Sequence, residues 1–347
     1  MPRVTVQVRD AGGNTATAGV DYSLVPQQPV LGGYYLSGGA DPTADMTGGN
    51  FRSLTQYRSF ADGFIFPGYN RPWLVNLGKA GVQMNMVLEL KHYGAPNQGP
   101  QSFTVDGVSY TVPAPSMTIQ QRPGTTFPKA YGYGQVIKGQ CDGLFARALS
   151  QYRALGFGVN IQLASELDTD HEFGTTEDGK AYTWAESDAR AVQAINYIIT
   201  WFKARSLPTN TTFSVGLGGF DRACFQRTHP ESLMARLDFL QWNAYGTDAS
   251  HTALARFRRT KDWAVADLGP VALSRPVIIA EWGVRAAEIP NQAAWIATVP
   301  AAIAQLNAER GPRIVRTNYF NSGWGTLVPK ATGLTALREA YAKRPYV

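Results

Sequence analysis

Cysteine is scarce: Cys141 and Cys224 are the two in 347 residues, too few for a disulfide framework or a cysteine-rich zinc site. Long apolar runs are missing as well. No stretch approaches the ~20 residues of a membrane span, and the opening MPRVTVQVRD has no signal-peptide hydrophobic region. The expectation is a soluble chain with no membrane insertion and no Sec-type export signal. Gly-x-Ser-x-Gly, a Walker-type phosphate loop and an HExxH helix are all absent, and GLGGF from Gly216 lacks dinucleotide-binding spacing. There is no low-complexity tract and no internal repeat beyond a strand–helix alternation. The net charge is +6 with a pI near 9.2, but the basic residues are scattered. The run Arg256–Arg259 (RFRR) reads as a solvated helix face, so no nucleic-acid partner is expected, while an acidic glycan or cell surface would suit the charge.

What remains is a chain that is 44% hydrophobic, enough for one large α/β barrel or two ordinary domains. Short apolar runs recur, each closed by Gly, Pro, Asn or Asp and mostly followed by a helical pattern. In order they are YYLSGG from Tyr34, GFIFPGY from Gly63, VQMNMVLEL from Val82, FGVNIQLASE from Phe157, TFSVGLGG from Thr212, FLQWNAYG from Phe239, PVIIAEWG from Pro276 and RIVRTNYFN from Arg313. Between them, Ile137, Cys141, Leu144, Phe145, Ala148, Tyr152 and Leu155 share one helical face, and Val192, Ile195, Ile199 and Phe202 share another behind a Ser187 cap. The pattern predicts an α/β fold, a (β/α)8 TIM barrel over residues 30–347, with a doubly wound open sheet as the rival. Residues 1–29 alternate early and lack a helical period, so they read as a β-type N-terminal extension or joining arm. Residues 95–133 form an insertion after strand three, with a hairpin signalled by Asp106-Gly107 inside SFTVDGVSYTV. In a barrel it would lie at the C-terminal rim and wall a cleft.

Two strands end on carboxylates. Strict alternation puts Asn160, Gln162, Ala164 and Glu166 on the inner face of the fourth strand, and puts Glu281 on the face of Val277 and Ile279 in the seventh. Both glutamates then reach the C-terminal end, where barrel active sites lie. Glycoside hydrolysis needs such a pair, one carboxyl protonating the leaving oxygen and the other attacking the anomeric carbon or activating water.

This arrangement resembles the clan A retaining glycoside hydrolases, and IIAEWG is similar to the nucleophile strand of family 26 in particular. The resemblance implies that Glu281 is the nucleophile and Glu166 the acid/base, with carboxyl groups ~5–5.5 Å apart. It further implies that Tyr245, in WNAY, hydrogen-bonds the nucleophile, and that Trp324, in NSGWG, floors a sugar subsite. Ser165 departs from the pattern, which places Asn or His before the acid/base. Trp282, Tyr93, Tyr131 and Tyr133 are rim aromatics able to stack on sugars, and His92 and His171 are further subsite candidates. The loop LDTDHEFGTTEDG after Glu166 is rich in oxygen ligands but lacks EF-hand order, so it reads as a substrate-binding loop, with no metal and no organic cofactor expected. The expected function is endo-acting cleavage of a polysaccharide, including a bacterial cell-envelope glycan, by double displacement. The rival is a non-catalytic carbohydrate-binding or structural phage tail protein on a barrel scaffold, with residues 1–29 contacting a virion assembly partner.

Overall fold

The computed structural model describes residues 3–9, 15–21, 31–36, 41–46, 51–59, 72–89, 99–115, 117–121, 125–172, 182–321 and 326–342. Eight parallel strands alternate with helices. They are β1 Leu31–Leu36, β2 Phe51–Ser59, β3 Gln83–Glu89, β4 Asn160–Leu163, β5 Thr212–Val215, β6 Leu240–Gly246, β7 Val277–Val284 and β8 Ile314–Asn321. The helices that follow them are α1 Thr43–Met46, α2 Pro72–Lys79, α3 Asp142–Leu155, α4 Trp184–Lys203, α5 Arg222–Thr228, α6 Ala253–Asp267, α7 Gln292–Ala308 and α8 Lys330–Ala342. The sheet runs β5-β4-β3-β2-β1-β8-β7-β6. Its two end strands meet at a parallel bridge between Ser214 and Phe239, beside the bonds Asp238 N–H to Phe213 O (2.9 Å) and Asn243 N–H to Leu217 O (2.8 Å). The expected TIM barrel is therefore the fold.

The second strand is not where the apolar runs put it. It is Phe51–Ser59, while GFIFPGY from Gly63 lies outside the described residues. A search for apolar runs misses this strand because its barrel side is polar: Thr55 accepts from Asn318 of β8 (2.7 Å) and from Asn85 of β3 (3.4 Å). Polar filling extends across the interior. Asn85 donates to Gln162 (2.6 Å), Asn160 donates to Asn85 (2.5 Å) and Ser214 (2.8 Å), and Gln241 joins Ser214 to Gln162. These groups are fully or almost fully buried, so each needs the partners its neighbours supply. The apolar core lies outside the sheet, where Ile161, Phe213, Trp242 and Ile279 meet Phe145, Phe202, Phe257 and Ile303 of the helices.

Local chemistry corrects three further expectations. Helix α4 is capped by Thr183, whose hydroxyl accepts from Glu186 N–H (3.3 Å) while the Glu186 carboxylate takes Thr183 N–H (2.8 Å), so Ser187 sits inside the helix. The face from Ile137 to Leu155 is split between a short helix, Tyr133–Ile137, and α3, because the chain turns at Gly139 with φ of 75°. The RFRR run is not a solvated face. Arg256 is buried, Arg258 pairs with Glu309, and the Arg259 guanidinium donates to Gly219 O, since α6 lays its basic stems against the β5 loop and α7.

Arg3–Arg9 and Thr15–Asp21 pair as an antiparallel hairpin within the expected N-terminal arm. The hairpin Gln101–Val105/Val108–Val112 forms as read, turning through Asp106 (φ 51°) and Gly107 (φ 81°). Its place differs from the expected cleft wall. It packs on α3, with Asp106 paired to Arg153 (3.3 Å), the Arg147 guanidinium 4.1 Å from the Phe103 ring centre, and Val112 fully buried. Apolar Phe103, Tyr110 and Val112 have an uncovered helix flank to fill, and Gly143 gives them room. A second hairpin, Met117–Gln121/Thr125–Ala130, adds Asp170–Glu172 from the β4 loop as a third strand.

A Cβ at Gly143 would meet Tyr110 Cβ at 2.6 Å and Val112 Cγ2 at 3.0 Å. Overpacking of this kind costs about 1–3 kcal/mol and outweighs the ~1 kcal/mol that alanine gains over glycine in a free helix. Gly143→Ala should therefore lower Tm in thermal melts, and a raised Tm would show the hairpin standing off the helix.

Candidate active site

Glu281 reaches the barrel mouth through an irregularity that alternation does not foresee. Val277 and Ile279 belong to the helix-side core, so strict period two would send Glu281 outward with them. Instead the register of β7 slips. Trp242 pairs with Ile279 and the next residue, Asn243, with Glu281, while on the other side Ile279 pairs with Thr317 and Trp282 with Tyr319. The extra residue is a β-bulge, which turns Glu281 into the barrel and keeps Trp282 outside. Glu281 does not share the face of Val277 and Ile279.

Once inside, the carboxylate is 5% exposed. The Tyr245 hydroxyl donates to its Oε2. Burial pushes its pKa up to about 8 from an ordinary 4.5, because a low-dielectric setting penalises the charged form. Tyr245 belongs to the inward set of β6, with Gln241 and Asn243, and its ring meets Phe320 of β8 edge-on at 5.9 Å.

Glu166 arrives by a turn. Strand β4 ends at Leu163, and Ala164 takes a left-handed φ of 61°, a conformation that costs a non-glycine residue energy and recurs at functional sites. Gly216 permits the turn, since a Cβ there would lie 2.5 Å from Ala164 O and 2.7 Å from Ser165 O. Thr169 fastens the segment by donating its N–H and hydroxyl to Glu166 O, each at 2.9 Å. The half-buried Glu166 side chain then accepts from Asn243 Nδ2 at 3.0 Å. Asn243 thus holds one carboxylate while lying beside the other in the strand pairing. Sequence reading overlooked Asn243, although its place two residues before Tyr245 on the inner face of β6 was a usable signal.

The surrounding loops are tied by a buried carboxylate. Asp168 accepts N–H bonds from Gly218 (2.5 Å), Phe220 (2.6 Å) and Asp221 (3.1 Å), joining the β4 loop to the β5 loop. Burial pushes its carboxyl above the usual range, against the pull of those donors. Among the described residues no group of three or more His, Cys, Asp or Glu could hold a metal ion. The same tie fixes Phe220, a ring 51% exposed on the β5 loop that sequence reading also overlooked.

The other expected contacts divide. Trp282 is fully buried in an aromatic cluster, 4.8 Å from Tyr319, 6.0 Å from Phe257 and 6.1 Å from Trp295 by ring centres, so it cannot stack on a sugar. Tyr131 and Tyr133 are likewise buried. The backbone of His171 pairs with Gln120, while its side chain, with His92, Tyr93 and Trp324, lies outside the described residues.

The chain folds like known glycoside hydrolases. A Bacillus subtilis mannanase superposes with a TM-score of 0.56 at 14% identity, covering 91% of this chain and 86% of that one. A modular endo-β-1,4-mannanase of family 26 from Cellulomonas fimi gives 0.55 at 16% identity, covering 92% and 71%. A family 39 glycoside hydrolase from Bacteroides cellulosilyticus gives 0.55 at 12% identity, covering 98% and 70%. The sequence matches no protein-family model and no curated protein. The likeness to family 26 expected from IIAEWG therefore extends to the fold.

A raised carboxyl pKa has a stability consequence whose sign is fixed. The folded state holds the Glu281 proton more tightly than the unfolded state, so its contribution is whole below about 4.5 and is lost as pH rises through about 8. At pH 7 the charge-burial penalty amounts to about 3 kcal/mol. Glu281→Gln should raise Tm at pH 7 and lose that advantage towards pH 4.5. Equal melting temperatures at pH 7 would mean that the carboxylate is solvated.

Proposed function

We propose that the protein is an endo-acting glycoside hydrolase that cleaves a polysaccharide with retention of configuration, Glu281 serving as nucleophile and Glu166 as acid/base. The observation that carries this reading is the joining of two glutamates, from the ends of β4 and β7, through Asn243. In the first step a Glu281 oxygen attacks the anomeric carbon as the glycosidic bond breaks, and Glu166 gives its proton to the departing oxygen. In the second, Glu166 takes a proton from water, which displaces Glu281 and leaves the sugar with its original configuration.

The proton must sit on Glu166 when substrate is bound. In the empty site Glu281 is the more deeply buried of the two, which favours its neutral form. Substrate covering Glu166 removes water from it and raises its affinity for the proton, while the Tyr245 hydroxyl stabilises an ionised Glu281. The unpartnered Asn243 Oδ1 is an acceptor for a sugar hydroxyl, and Phe220 offers an apolar face to a sugar ring. The mannanase neighbours make β-1,4-mannan the first polymer to test, and the basic charge keeps bacterial envelope glycans on the same panel.

New reducing ends from one of these polymers are the expected result, and their absence across the panel would favour a non-catalytic carbohydrate-binding protein. The roles are separated with an activated aryl glycoside and azide. Glu281→Ala should yield a glycosyl azide of inverted configuration and Glu166→Ala one of retained configuration, and the opposite pair of outcomes would exchange the two glutamates. Phe220→Ala should raise KM on long chains about fivefold with kcat little changed. An unchanged KM would remove Phe220 from the sugar path.

A further inference from the structure

Far from the mouth, β8 carries a cation inside the barrel. Arg316 lies two residues before Asn318, whose side chain donates inward to Thr55, and its own Nη2 reaches past β1 and β2 to Gln83 Oε1 of β3 (2.9 Å). The residue is 5% exposed. Its Nε and Nη1 have no partner, and no ion pair of the described residues involves it. Burial lowers its pKa to about 10, which leaves the guanidinium charged at neutral pH. A buried charge without a counter-charge is strongly destabilising, so something must compensate it.

A neighbouring position supplies a further donor. In the sheet, Ser53 of β2 pairs with Gln83 of β3, the residue that the Arg316 guanidinium reaches. Ser53 is fully buried, faces inward two residues before Thr55, and its hydroxyl is unpartnered. Phe239, its ring centre 5.5 Å from the Arg316 guanidinium carbon, covers another side.

We propose that this end of the barrel binds one small monovalent anion of the chloride class, held by Arg316 Nε–H and Nη1–H and by the Ser53 hydroxyl. One positive charge with a few converging donors matches a spherical monovalent ion. A divalent oxyanion would leave excess charge buried. The site is independent of the glutamate pair, and its occupant stabilises the fold through linkage, because the unfolded chain has no such site.

The test is thermal melting of the full chain at constant ionic strength, with chloride replacing gluconate. Wild-type Tm should rise by about 2 °C or more between 1 and 100 mM chloride, bromide should act similarly, and Arg316→Met should flatten the response. A wild-type Tm indifferent to the halide would overturn the proposal in favour of water as the compensating group, and so would a chloride response that survives in Arg316→Met. If that variant fails to fold, wild-type crystals soaked in bromide decide. An anomalous peak beside the Arg316 guanidinium supports the site, and its absence overturns it.

Discussion

One extra residue in β7 decides on which side of the sheet Glu281 lies. Without the bulge, Glu281 would lie among Val277, Ile279 and the helices, an ionisable group in an apolar layer. With it, two conflicting demands are met on adjacent residues. The carboxylate enters the barrel and finds the Tyr245 hydroxyl, while Trp282 stays outside with Phe257, Trp295 and Tyr319. That aromatic contact holds the bulge from behind. A bulge braced on one face and hydrogen-bonded on the other has little freedom to slip back, since a slip would bury the indole among polar groups and the acid among hydrocarbons.

The barrel interior below the mouth is polar where branched aliphatics are the usual filling. Asn85, Asn160, Gln162, Ser214 and Gln241 form a connected set in which removing one member leaves the next unsatisfied. Directional bonds of this kind fix side-chain positions more narrowly than apolar packing does. Such a set forms the floor beneath Asn243 and Glu166. Above it, Asp168 and Arg259 both hold the β5 loop, the first through its N–H groups and the second through Gly219 O.

Much of this was legible in the sequence, and the failures have physical causes. Seven of the eight strands were readable as apolar runs because helices cover their outer faces, whereas β2 was hidden by Ser53 and Thr55. The nearness of Tyr245 to Glu281, and of Glu166 to the same strand, was readable because strand ends in a barrel converge. The reasoning that placed the two glutamates was nonetheless incomplete: Ala164 turns the chain where alternation was assumed, and the bulge reverses the face of β7. Neither a left-handed alanine nor a register shift leaves a mark in composition or periodicity. Trp282 and the RFRR run were misplaced for a related reason, since residue type alone does not say which side of a helix or strand has a neighbour waiting.

The junction of β5 with β6 differs from the others in the sheet. Neighbouring strands elsewhere share a run of paired residues, but here a single bridge at Ser214 and Phe239 is supplemented by two bonds between Phe213 and Asp238, by Ser214 Oγ to Gln241 and by the Asn243 amide. A barrel with one lightly laced junction breathes there first, and amide protons along it exchange ahead of those in the fuller ladders. Asn243 is itself one of the laces, through its N–H to Leu217 O, and its side chain is what steadies Glu166. One residue therefore serves both the closure of the barrel, through its amide, and the position of the Glu166 carboxylate, through its side chain.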